Sequence, residues 1–95
     1  MRKYECLYII DAELEEDAIQ AEVDKYAQLL EKHECEEVSI DAWGKRRLAY
    51  EIRKKREGYY VLMEYNGPAD FVSELERLMG IDEKVMKYLV TKKEK

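Results

Sequence analysis

The apolar positions of this chain fall into six segments that switch between strand-like and helix-like spacing. Tyr4 to Ile10 gathers aromatic and β-branched residues into a strand-length run that stops at Asp11-Ala12, a turn. From about Glu15 to Glu34, Ile19, Val23, Ala27 and Leu30 recur at helical spacing with Tyr26 beside them, while Glu15, Glu16 and Asp17 put negative charge on the first turn. Glu37 to Arg53 reads as a long strand interrupted near Trp43-Gly44, where the glycine predicts a bulge; Leu48, Tyr50 and Ile52 keep the two-residue period. Gly58 to Asn66 is its partner, and Asn66-Gly67-Pro68 ends it. The spacing of Val72, Leu75, Leu78 and Met79 predicts a second helix with Pro68 in its first turn and Gly80 as the residue just past its end. Val85 to Lys92 is the last strand.

Each helix has a single apolar stripe, so both pack on the same face of a four-stranded sheet. The order β-α-β-β-α-β then predicts an α+β fold, the ferredoxin-like split βαβ sandwich, antiparallel throughout with spatial strand order 4-1-3-2. Ninety-five residues make one such domain, over residues 1–95. Alternation assigns Cys6, Tyr8, Ile10, Val61, Met63 and Tyr65 to the helix side, with Leu30 and Leu75 above them. The open face is left with Leu7, Ile9, Tyr60 and Leu62, extended by Leu89, an aliphatic surface suited to docking a protein.

Charge is strongly segregated. Residues 5–41 hold thirteen acids against two lysines, whereas residues 45–56 hold seven basic side chains against the single acid Glu51, in a chain of net charge −5. Four of those seven cations are arginines, and they alternate with strand positions that must pack, so the row is held in place. An immobile row of this kind neutralises phosphates without first being ordered, and a local basic patch outweighs an acidic average. A lysine-rich edge strand that only deters aggregation is the simpler rival, but it does not need such segregation.

Other chemistry finds little support. His33 is the only imidazole and sits among glutamates at a helix end, and no nucleophile elbow, phosphate-binding glycine loop or zinc-protease motif occurs. Glu15-Glu16-Asp17 lacks the spacing of a calcium loop, and two cysteines without CxxC spacing make neither a zinc site nor a disulfide framework. No cofactor is called for, the longest apolar run is too short for a membrane span, and the amino-terminal stretch does not read as a secretory signal; a cytosolic, non-enzymatic protein is expected.

Gly44-Lys45-Arg46-Arg47-Leu48-Ala49-Tyr50-Glu51-Ile52-Arg53 resembles the signature of the bacterial ribosomal small-subunit protein six family. The likeness extends through the Met1-Arg2-Lys3-Tyr4-Glu5 opening, the acidic first helix, Gly58-Tyr59-Tyr60-Val61, the second helix and Lys87-Tyr88-Leu89-Val90. Two positions depart from it: Glu51 stands where proline is common and Lys87 where arginine is common. The resemblance implies the split βαβ fold and a structural role in the small ribosomal subunit. It also implies binding to the central domain of small-subunit ribosomal RNA together with small-subunit protein eighteen. The RNA-contacting candidates are Arg2, Lys3, Lys45, Arg46, Arg47, Arg53, Lys54, Lys55, Arg56, Lys87 and Lys92, and the partner-docking candidates are Leu7, Ile9, Tyr60, Leu62 and Leu89. Two rivals keep the same fold: a stand-alone single-strand RNA binder needs Tyr8 and Tyr60 exposed side by side, and a small-molecule regulatory domain needs a pocket at a dimer interface.

Overall fold

A computed structural model describes residues 2–93. The expected domain over 1–95 also includes Met1, Glu94 and Lys95, which lie outside the described residues. The elements are β1 (Arg2–Asp11), α1 (Glu16–Lys32), β2 (Glu36–Ile52), β3 (Lys55–Gly67), α2 (Phe71–Ile81) and β4 (Val85–Lys92). They form one four-stranded sheet in the order β2-β3-β1-β4, with every neighbouring pair antiparallel, which is the predicted 4-1-3-2 arrangement.

The two-residue period decides what each face of the sheet does. Cys6, Tyr8 and Ile10 of β1 and Val61, Met63 and Tyr65 of β3 are all fully buried and meet Ile19, Val23, Tyr26 and Leu30 of α1 and Phe71, Leu75 and Met79 of α2. Tyr8 meets Tyr26 edge-on with ring centroids 5.3 Å apart, and Tyr65 meets Phe71 in the same manner at 5.9 Å. A smaller cluster occupies the other face, where Leu48, Ile9 and Met86 are buried with Ile52 and Tyr60 against them.

Several boundaries differ from the sequence reading. Pro68 lies in the turn ahead of α2, three residues before its first helical residue, and its carbonyl accepts from the Phe71 amide (3.2 Å). Gly80 is inside α2; a Cβ there would come within 3.2 Å of the Tyr88 hydroxyl, so its smallness serves close packing instead of a helix cap. The core side of α1 uses Tyr26, with Ala27 only half-buried, and that of α2 begins at Phe71, outside the expected stripe. α1 stops at Lys32 because Glu34 turns to φ 57°, which lets the Glu34 amide reach the Glu31 carbonyl and the Cys35 amide reach the Leu30 carbonyl, both at 3.0 Å.

Candidate nucleic-acid interface

The β2–β3 hairpin carries the basic run, and three irregularities shape it. Between Ala42 and Gly44 the ladder skips a residue, and Gly44 takes φ 87°, a conformation costly for any side chain. Between the pairs Arg47↔Glu57 and Ile52↔Lys55 the register shifts again, so β2 has extra length and lays Leu48 over the open face of the sheet. The tip is a two-residue turn, Arg53 and Lys54, with φ 53° and 64°; two positive values in succession mark the mirror-image turn that matches the twist of a hairpin.

The tip is fastened down. Arg53 donates to the carbonyls of Glu83 (2.7 Å) and Val85 (3.3 Å), so its guanidinium staples the hairpin to the loop before β4. Lys55 donates to Asp11 at 2.6 Å and lies 3.5 Å from Glu13. The hydrogen bond to Asp11 holds the Lys55 ammonium above its usual pKa; burial works against Asp11, but the bonds from Lys55 and the Glu13 amide leave its carboxyl below the ordinary range. Gly58 completes the seat, because a Cβ there would collide with Ile9 Cγ2 and press on Leu48.

The predicted cations therefore divide into groups. Arg53 is held by two neutral carbonyls and Lys55 by the Asp11 carboxylate, so both act as positioning residues, and of the two only Lys55 has its charge offset. Arg56 stands 3.6 Å from Glu51, and Lys87 contacts both the hydroxyl and the ring face of Tyr50. Lys45 pairs with Tyr59 on the helix side, in a cleft it shares with Glu16 and Asp17. Arg46, Arg47 and Lys54 are exposed and form no ion pair among the described residues. Arg46 holds its guanidinium carbon 5.3 Å from the ring centre of Trp43.

Arg2 and Lys3 do not join this patch. They belong to β1 itself and pair with Gly67 and Asn66, whereas the hairpin end of β1 is Asp11 opposite Gly58. Ten strand residues separate the two ends, about 30 Å at about 3.3 Å per residue. Lys92 pairs with Tyr4 and so belongs to the Arg2 end, while Lys87, opposite Ile9, belongs to the hairpin end.

The open face is corrected in part. Ile9 is 7% exposed, packed under the chain's own Leu48 on the floor of the open face, which leaves little of it for a partner to touch. Leu7, Tyr60 and Leu62 are half-buried and Leu89 is 58% exposed. A groove of about 200 Å³ runs among Leu7, Leu48, Ile52, Tyr60, Tyr88 and Leu89. Tyr8 is fully buried under the helices, which removes the Tyr8–Tyr60 pair that a stand-alone single-strand RNA binder required.

Two groupings escaped the sequence reading. Trp43 and Tyr60 lie nearly parallel, 9° apart with centroids 6.1 Å from each other, and the signal for this was the bulge glycine that turns residue 43 toward Tyr60. The second joins α1 to the loop after α2: Asp82 accepts from Tyr26 (2.7 Å) and Lys25 (2.8 Å), and Lys25 also reaches Glu22 (3.3 Å). Burial, then the neighbouring Asp82 carboxyl, raises the pKa of Glu22. Burial opposes ionisation of Asp82 as well, but the adjoining Glu22 carboxyl group and hydrogen bonds from Lys25, Tyr26 and the Lys84 amide prevail and hold its carboxyl well below the ordinary range. His33 is exposed at the end of α1 with its ring 4.5 Å from Phe71, away from the hairpin. Among the described residues no three His, Cys, Asp or Glu side chains converge as metal ligands, and no helix is long and apolar enough to cross a membrane.

Residues 3–92 match the family model of ribosomal protein S6. The chain is 47% identical over 94 residues to the small ribosomal subunit protein bS6 of Desulfitobacterium hafniense, covering 99% of each chain. It is 45% identical over 94 residues to the bS6 of Moorella thermoacetica, covering 99% of this chain and 96% of that one. The fold superimposes on the crystal structure of ribosomal protein S6 from Thermotoga maritima with a TM-score of 0.88 at 22% identity, covering 97% of this chain and 87% of the other. The match over residues 3–92 and the identity to these relatives along nearly the whole chain lead to one conclusion: the chain belongs to the ribosomal protein S6 family.

Proposed function

We propose that this protein is a structural, non-catalytic constituent of the bacterial small ribosomal subunit, in the cytoplasm, that binds the central domain of small-subunit ribosomal RNA cooperatively with small-subunit protein eighteen. The observation that carries the reading is the docked hairpin: Arg46, Arg47 and Lys54 are exposed, with no ion pair among the described residues, on a segment stapled by Arg53 and Lys55. Cations fixed in this way lose little freedom on meeting phosphates. Arg56 and Lys87 border them, whereas Arg2, Lys3 and Lys92 supply a second cationic end.

A partner follows from the charge balance and from the open face. At net charge −5 the protein is a poor long-range attractor of RNA, and a basic partner is steered toward its acidic side. Leu7, Leu62 and the exposed Leu89 offer that partner an apolar seat beside the groove. The test is a titration of small-subunit ribosomal RNA with this protein alone, with small-subunit protein eighteen, and with Leu89→Glu plus that partner. Tight binding is expected only with both proteins, weakening steeply with salt, and Lys54→Gln should lower the salt slope by about one. Equal affinity with and without the partner, or affinity indifferent to salt, refutes the reading; an undisturbed Leu89→Glu complex moves the interface off the open face.

A further inference from the structure

We propose that Trp43 and Tyr60, with Arg46, form a stacking site for one unpaired nucleobase, a deepening that rests on the RNA-binding reading. The skipped residue at Trp43-Gly44 puts the indole on the same side of the sheet as Tyr60, and the two rings lie within 9° of parallel. Trp43 remains 38% exposed although it is the largest apolar side chain on β2. Arg46 sets a cation over the same indole, 5.3 Å from its centre. Beside them Gly44 is open: a Cβ there would meet no atom within 4 Å, so a ligand can approach the backbone.

The chemistry favours a nucleotide over a protein side chain. A base has a π-face for the indole, and its phosphate is a partner for the guanidinium; base stacking on aromatic rings and on arginine planes is the usual way proteins hold unpaired RNA. An apolar protein surface laid over Trp43 would strip water from Arg46, which lies over the same indole, without compensating its charge. The apolar groove toward Leu89 lies on the other side of Tyr60, so base and partner protein occupy adjoining surfaces.

Trp43 is the only tryptophan in the chain, so fluorotryptophan incorporated into this protein gives a single fluorine NMR resonance that reports the site. The labelled protein is titrated first with small-subunit protein eighteen and then with small-subunit ribosomal RNA, and RNA affinity is compared for wild type, Trp43→Leu and Lys54→Gln across salt concentrations. The resonance should move only when RNA is added. Trp43→Leu should lower RNA affinity about tenfold with an unchanged salt slope, since it removes a stack and no phosphate contact, whereas Lys54→Gln should lower the slope. A resonance that moves fully with the protein partner alone overturns the proposal by placing the pair in the protein interface. A stationary resonance during RNA binding, with Trp43→Leu equal to wild type, overturns it while leaving the RNA-binding reading standing. Wild-type protein that fails to bind RNA at all brings down both.

Discussion

Replacing Lys54 by glycine should make the fold more stable and the RNA complex weaker. Lys54 holds φ 64° at the hairpin tip with its side chain exposed. A left-handed conformation costs a residue with a Cβ about 1–2 kcal/mol. Glycine removes that strain but adds about 0.5–1 kcal/mol of backbone freedom to the unfolded chain. The net expectation is a gain of about 0.5–1 kcal/mol, read as a rise of about 0.5–1 M in the urea midpoint at a slope of about 1 kcal/mol/M. Lys54→Ala is the control: it loses the same ammonium group but keeps the strain, so its midpoint should stay near wild type. Both variants should show the same reduction of the salt slope for RNA. Arg53→Gly relieves a similar φ of 53° but also discards the hydrogen bonds to the Glu83 and Val85 carbonyls, and should destabilise. The reasoning is refuted if Lys54→Gly is no more stable than Lys54→Ala, or if the two differ in their salt dependence.

Gly58→Ala should cost about 1–3 kcal/mol in urea unfolding, because the new methyl group meets Ile9 and Leu48 and lifts the hairpin from its seat; unchanged stability would show that the seat is loose. Glu22→Gln should raise the urea midpoint at pH 7. The raised pKa of Glu22 means that its folded environment favours the neutral form, so the wild-type penalty is absent below the ordinary glutamate range and grows as pH rises through it; a gap that widens toward acid contradicts this sign. Cys6 is fully buried and its thiol is pushed up to about 12 by burial and then by Glu76, so native protein should be alkylated at Cys35 while Cys6 reacts only after unfolding, as mass spectrometry of the labelled peptides would show.

Much of this architecture was readable because two-residue alternation leaves little freedom: once Cys6, Tyr8 and Ile10 face one way, Leu7 and Ile9 face the other, and the structure keeps that division. The failures lie where backbone geometry departs from residue preference. Glu34 ends α1 in a conformation usually taken by glycine, and Gly80, which looked like a helix stop, is kept small by Tyr88. The docked tip was hidden for a different reason. Leu48 reaches Ile9 only through the register offset after Arg47, and Arg53 finds the carbonyls of residues 83 and 85, thirty positions away; neither leaves a periodic trace. The separation of Arg2 from the hairpin was in principle legible, since an antiparallel β1 must begin beside the end of β3.

Under the proposed function, the placement of charge on the hairpin would decide from which side an RNA approaches. Successive basic residues on β2 alternate sides, so Lys45 faces the cleft with Glu16 and Asp17, where its field is offset, while Arg46 stands beside Trp43 on the open side. The acidic start of α1 then repels phosphate from the helix layer, Arg47 falls on that layer's side two residues from Lys45, and the field of the open side and the tip comes from Arg46 and Lys54. On that same side lie Tyr60, the groove and Leu89. RNA and a protein docked there would share a border, and each would remain on this surface longer with the other in place. Cooperativity under the proposed function thus needs no conformational change in this chain: a rigid hairpin with contiguous polar and apolar surfaces is enough, and the stapling by Arg53 and Lys55 supplies that rigidity.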